Sequence, residues 1–169
     1  MSPALPLEPV IASLRAPIAE SGGWAWWSRQ ASPAGEPAAD TVDEAASAVI
    51  DWLDSITSGT VSLLGFSQGG ALALQLLRLA PERFAATVSL SGFIASAEHP
   101  GDARLAEVKP AVFWGRGTDD PVIPSQAIDR TAEWMPAHTT ATIRTYDGIG
   151  HSISTPELAE FSGFLRSHG

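Results

Sequence analysis

The sequence contains no cysteine, which excludes disulfides, zinc–thiolate centres and a thiol nucleophile. Basic residues are scarce: 10 Lys and Arg stand against 19 Asp and Glu, a formal charge of −9. A chain this acidic lacks the basic face that nucleic acid or an anionic membrane requires of its partner. Long apolar runs are missing as well. The best candidate, around residues 71–79, is interrupted by Gln75 and Arg78, so no segment is expected to span a bilayer. The first nine residues carry no basic region and are broken by Pro3, Pro6 and Pro9, unlike a secretory leader. These absences lead to the expectation of a cytoplasmic protein.

What is present is a globular composition, with 44% hydrophobic and 17% charged residues. The 169 residues show no internal repeat and no change of compositional regime, so one domain over 1–169 is expected, large enough for a real core. Apolar runs of strand length alternate with helical patterns. Val10–Leu14, Val61–Leu64, Ala85–Leu90, Ala111–Trp114 and Ala141–Tyr146 read as strands. Val42, Ala45, Ala46, Val49, Leu53 and Ile56 recur at helical spacing, and Gly59 follows them. Ala71–Leu79 reads as a helix stopped by Pro81, Ser125–Met135 as one stopped by Pro136, and Thr155 is read as the cap of a last helix with Pro156 at its first position. Such alternation predicts an α/β fold, a doubly wound, mostly parallel sheet covered on both faces.

The chain is organised around the junction between the Val61 strand and the Ala71 helix. Gly65-Phe66-Ser67-Gln68-Gly69 fits G-x-S-x-G, a sharp strand-to-helix turn with a serine at its apex. The turn is strained, and a Cβ at Gly65 or Gly69 is expected to meet neighbouring backbone. Ser67 then stands at a helix N-terminus, where free N–H groups favour developing negative charge.

A serine hydroxyl needs a base, and the base needs an orienting group. In a doubly wound sheet these must come from loops at the C-terminal ends of strands. His151 lies in such a loop, among glycines after the 141–146 strand. Asp120 follows the strand ending at Trp114, and Asp119 and Asp147 compete with it for the orienting role. Asp119, Asp120, Asp147 and His151 together could also be read as a metal site, but they lack ligand spacing on one element. His99, His138 and His168 are read as solvated surface residues. Three of the six tryptophans, Trp24, Trp26 and Trp27, fall in residues 21–27, read as a loop because Gly22-Gly23 precede them. In regular structure they cannot all point one way, and a substrate-pocket wall is expected from this stretch together with Phe66, beside the serine.

The residues Gly65–Leu72, Gly117–Pro124 with its Asp-Pro-Val-Ile-Pro, and Gly148–Ser154 with its Gly-His-Ser, in that order, resemble the phospholipase/carboxylesterase family of α/β-hydrolases, which includes the acyl-protein thioesterases. Arg15-Ala16-Pro17 and Gly22–Trp27 resemble the segment that precedes the nucleophile in the same family, so the likeness covers about residues 10–165. It implies an α/β-hydrolase that cleaves small-molecule carboxylic esters or thioesters without a cofactor or metal. Ser67 would be the nucleophile, His151 the base, Asp120 the orienting acid and the Gln68 backbone N–H one oxyanion donor. Family members begin with a strand, a His-Gly-Gly-like loop and a helix that have no counterpart here, so the resemblance implies an N-terminally shortened member. Such a member lacks a second oxyanion donor, whose loss typically costs ~10²–10³ in turnover. It also lacks a central strand between the Val10 and Val61 strands, so the sheet must close the gap by direct pairing or leave an edge that invites self-association into a homodimer. The competing expectation is an α/β-hydrolase-like binding protein that has lost catalysis with its oxyanion hole.

Overall fold

The structure is a computed structural model that describes residues 10–30, 33–95 and 98–169. The Pro-rich first eight residues, expected to be irregular, lie outside the described ones. The apolar runs form β3 (Val61–Phe66), β4 (Phe84–Leu90), β5 (Ala111–Gly117) and β6 (Thr140–Tyr146), hydrogen-bonded in that order into a four-stranded sheet. Every neighbouring pair is parallel. Parallel neighbours need a crossover, and α2 (Gln68–Leu79), α3 (Gly101–Val108) and α4 (Ser125–His138) supply the three. The fixed hand of such crossovers puts these helices on one face. There α1 (Ala39–Ile56) packs against α2, α2 against α3, and α3 against α4. The last helix, α5 (Thr155–His168), covers β4 and β5 from the other side.

The period of two along each strand divides the core between these faces. Val112 and Trp114 of β5 join the buried side chains of α1–α4, whereas Phe113, between them, joins Val88, Leu90, Phe161 and Phe164 under α5. Each fully buried side chain of this size is worth about 1.5–3 kcal/mol in transfer from water. β3 lies at the sheet edge. Its Leu63 packs toward the helices, and its Ser62, Leu64 and Phe66 face solvent.

Four expectations are corrected. Val10–Leu14 is not a strand: no described strand pairs with it, and Val10 is 98% exposed. A strand is stable only with ladder partners for its backbone groups. The tryptophan stretch instead belongs partly to a small antiparallel hairpin, β1 (Ile18–Glu20) and β2 (Gly23–Ala25). Its two-residue turn has φ of 53° at Ser21 and 77° at Gly22, the positive pair that matches strand twist. Finally, α4 continues through Pro136 to His138, and the cap of α5 is Ser154 rather than Thr155. Near a helix end, proline forfeits only one intrahelical bond. Ser154 is favoured because it forms a reciprocal box with Glu157: Glu157 N–H donates to Ser154 Oγ (3.2 Å), and Ser154 N–H donates to Glu157 Oε2 (3.3 Å).

Candidate active site

Ser67 follows β3 directly and caps α2 with φ 55° and ψ −118°, a conformation that L-residues avoid. Its backbone is held on both sides. Ser67 N–H donates to the Leu90 carbonyl at the end of β4 (2.8 Å), and its own carbonyl accepts from Ala71 N–H (2.9 Å). A Cβ on Gly65 would lie 2.0 Å from the Gly69 carbonyl oxygen, so the turn closes only over glycine there. At Gly69 the expectation fails, because an added Cβ meets nothing within 4 Å. The second tight glycine is Gly70, whose Cβ would approach Gly92 Cα and Ser89 Oγ at 3.0 Å each. Here α2 crosses the end of β4.

The loops after β5 and β6 bring their side chains to this serine. His151 Nε2 lies 2.9 Å from Ser67 Oγ, and His151 Nδ1 lies 2.7 Å from Asp120 Oδ2. Asp120 Oδ1 accepts from Val122 N–H (2.8 Å) and Ile123 N–H (3.2 Å), which pins the carboxylate within its own turn. The Asp120 side chain is only 2% exposed. Burial alone would raise its pKa. The hydrogen bond with His151, the two backbone donors and the His151 charge outweigh burial and hold the carboxyl below its ordinary value. A hydroxyl, imidazole and carboxylate joined in this order can pass the serine proton to the ring as the oxygen attacks, with the carboxylate fixing the tautomer. Asp119 and Asp147 do not reach the ring; both share the Thr118 hydroxyl at the exposed rim. Among the described residues no three acidic, histidine or cysteine side chains gather as a metal site.

Phe66 packs on His151, with ring centroids 4.8 Å apart. Beside it opens a cleft of about 380 Å³ lined by Glu20, Trp24, Trp26, Phe66, Ser67 and Gln68, among others. Trp24 is 53% exposed, with the Arg15 guanidinium 4.2 Å from its ring centre. Trp27 does not line the cleft. It is 2% exposed and packs in the helical core, because the residue after Trp26 faces the opposite way. Gln68 is the first residue of α2, so its N–H is one of those with no intrahelical acceptor. Its side chain, which the sequence did not single out, reaches Trp26 and Trp27. Glu157 was missed too. It is 1% exposed behind β5, and burial first, then the neighbouring Glu160, raise its pKa against the lowering hydrogen bond from Ser154. His99 is better anchored than expected, between Gly101 N–H and Asp43, and His138 and His168 stack on Trp134 and Phe164.

The parallel sheet with its serine at a strand-to-helix turn defines an α/β-hydrolase. A carboxylesterase from Bacillus cereus shares this fold, with a TM-score of 0.76 at 16% identity over 92% of this chain and 74% of that one. The chain belongs to the phospholipase/carboxylesterase family, whose model matches residues 12–169. Carboxylesterase SOBER1 of Arabidopsis thaliana is 31% identical over 129 residues, which cover 70% of this chain and 54% of that protein. Its crystal structure superposes with a TM-score of 0.69 at 26% identity, covering 86% of this chain and 74% of the other. Acyl-protein thioesterase 1 of Debaryomyces hansenii is 31% identical over 65% of this chain and 49% of its own. The chain thus spans about half the length of the curated relatives it matches. No helix among the described residues is long and apolar enough to cross a membrane.

Proposed function

We propose that the protein is a serine hydrolase that cleaves carboxylic esters or thioesters of small to medium acyl groups through an acyl-enzyme, with activity of the carboxylesterase or lysophospholipase kind. The observation that carries this reading is the pair of contacts at His151, 2.9 Å to Ser67 Oγ and 2.7 Å to Asp120. In the first half-reaction Ser67 Oγ attacks the acyl carbon and His151 Nε2 takes its proton. The resulting oxyanion lies against the Gln68 N–H at the positive end of α2. Collapse expels the alcohol or thiol, which receives the proton from His151. Water then attacks the acyl-enzyme with His151 as base and releases the acid. Trp24, Trp26 and Phe66 wall the cleft in which the acyl or alcohol portion rests. Trp27 supports that wall from the core. Nucleic acid is not a partner of so acidic a chain, and we assign the protein to the cytoplasm on composition.

A second reading has one observation in its favour. β3, which leads directly into Ser67, is an edge strand with Leu64 and Phe66 exposed, and Gln68 N–H is the one oxyanion donor assigned among the described residues. On this reading the protein binds ligands or pairs with a second copy along β3 and does not turn substrate over. A fluorophosphonate probe separates the two. Covalent labelling of the folded protein, abolished in Ser67→Ala together with hydrolysis of p-nitrophenyl butyrate, supports the hydrolase. Absence of labelling, or turnover that survives Ser67→Ala, removes it.

A further inference from the structure

One carboxamide ties the serine turn to the tryptophan wall. Gln68 Oε1 accepts from Trp26 N–H (3.0 Å), and Gln68 Nε2 donates to the Trp27 carbonyl (3.0 Å). Donor and acceptor are both used, so the orientation of the amide is fixed by its partners. The partners are 42 and 41 residues away in sequence. The hairpin needs such an attachment, because its extensive element contacts are between β1 and β2 themselves. A second clasp is internal to the stretch: the Glu20 carboxylate accepts from Ser28 Oγ (2.8 Å), Arg29 N–H (3.0 Å) and Gln30 N–H (3.4 Å). Glu20 therefore shapes the loop, and Gln68 fastens it to α2. Ala25, although buried, lines the cleft with Trp24 and Trp26, whereas Trp27 turns into the core, so the two bonds also set which indoles face the cleft.

We infer that the Gln68 side chain is a positioning residue that holds the Trp24–Trp26 wall in register with Ser67 and so sets the acyl-length preference of the site. This rests on the esterase reading above. A short acyl group on Ser67 lies beside Phe66 and Gln68, and only a longer one extends onto Trp24 and Trp26. Each methylene buried on that wall is worth about a fourfold gain in kcat/KM. A wall that has lost its register forfeits this gain for long chains and nothing comparable for acetyl.

The test is Gln68→Met, of similar length with neither bond, beside Gln68→Glu, which keeps an acceptor for Trp26 N–H. Both retain the backbone N–H of residue 68. Across p-nitrophenyl acetate, butyrate, hexanoate and octanoate, Gln68→Met should lower the octanoate-to-acetate ratio of kcat/KM by about tenfold or more, mainly through KM. Gln68→Glu should fall between it and the wild type. Amide hydrogen exchange gives a readout that needs no activity. Trp26 N–H should lose at least about tenfold of its protection in Gln68→Met and keep it in Gln68→Glu, with β4 and β5 amides unchanged as the check on folding. An equal loss at every chain length, an unchanged ratio, or unchanged Trp26 protection overturns the inference. A wild type without esterase activity or probe labelling instead overturns the functional reading and the length preference with it. The exchange result then decides the fastening alone.

Discussion

Gly65→Ala should break the serine turn, and the size of the effect follows from one distance. The new Cβ would sit 2.0 Å from Gly69 O, 2.2 Å from Gly69 C and 2.6 Å from Gly70 N, where ordinary contact begins at 3.4 Å. All three are backbone atoms, so no side chain can rotate out of the way. About 1.4 Å of separation must come from moving β3 against the first turn of α2. Both are anchored, the turn by Ser67 N–H on Leu90 O and the helix by Gly70 against Gly92. Overpacking by one methyl typically costs 1–3 kcal/mol where side chains can yield, so about 3 kcal/mol or more is expected where only backbone can. A displacement of about 1 Å at the nucleophile also costs on the order of 10² in reaction rate. Urea unfolding followed by tryptophan fluorescence gives the first quantity, and the rate of fluorophosphonate labelling gives the second. Gly69→Ala is the control. Its Cβ enters open space, so its unfolding free energy should equal the wild type's or exceed it by up to about 1 kcal/mol. A Gly65→Ala protein within about 0.5 kcal/mol of wild type, or a Gly69→Ala protein that falls with it, would refute the steric account of the turn.

Asp120→Asn should lower kcat on p-nitrophenyl butyrate by about 10⁴, because the amide no longer fixes the Nδ1–H tautomer of His151. The same variant has a pH signature. A carboxyl held below its ordinary value contributes stability above the unfolded pKa of ~3.9 and loses it as pH falls through the folded value. The gap in urea midpoint between wild type and Asp120→Asn should therefore be wide at pH 7 and narrow toward pH 3; a gap independent of pH counts against the ionised contact. Glu157→Gln has the opposite sign. The folded protein holds the Glu157 proton more tightly than the unfolded chain, so wild-type stability falls as pH rises from about 4.3 through the raised folded pKa. The midpoint of Glu157→Gln relative to wild type should rise between pH 4.5 and pH 8, and a constant difference would exclude a buried carboxyl as the cause.

The parts of the site that were legible in sequence are those fixed by local chemistry. A serine turn needs glycine beside it, and side chains that meet it must come from loops after parallel strands, so Ser67 and His151 could be picked out at strand ends. Position left Asp120 in competition with Asp119 and Asp147, and only the family resemblance favoured it. What was illegible depends on distant partners. Gln68 reads as a helix N-terminal residue until the Trp26 and Trp27 backbones, some forty residues away, come against it. Glu157 reads as an exposed first-turn acid, which its box with Ser154 explains, but nothing local says that its other oxygen meets Gly115. Gly69 and Gly70 are adjacent and chemically identical, and only the path of Gly92 makes the second one tight. Val10–Leu14 has the composition of a strand, yet composition cannot supply the neighbour that a strand needs.

The placement of the serine turn on an edge strand raises the question of what holds it rigid, since no described strand flanks β3 on its outer side. The structure answers from the inner side. Ser67 N–H is tied to the end of β4, and the Gly70 carbonyl accepts from Ser89 Oγ (3.1 Å) in the same strand. The β4 end is in turn fixed to β5: Ser91 N–H donates to the Gly115 carbonyl (2.7 Å), and the buried Trp114 indole N–H donates to the Gly92 carbonyl (2.8 Å). The histidine loop leans on the same strand, because a Cβ on Gly117 would stand 1.9 Å from Ile149 O, and Asp119 N–H donates to that oxygen at 3.0 Å. Ser67 and His151 thus hang from opposite sides of one buried strand, β5, whose side chains are locked between two helical layers. Their 2.9 Å separation is set by strand spacing and backbone hydrogen bonds near the middle of the sheet. These ties reach Ser67 from the inner side of β3, away from its exposed edge.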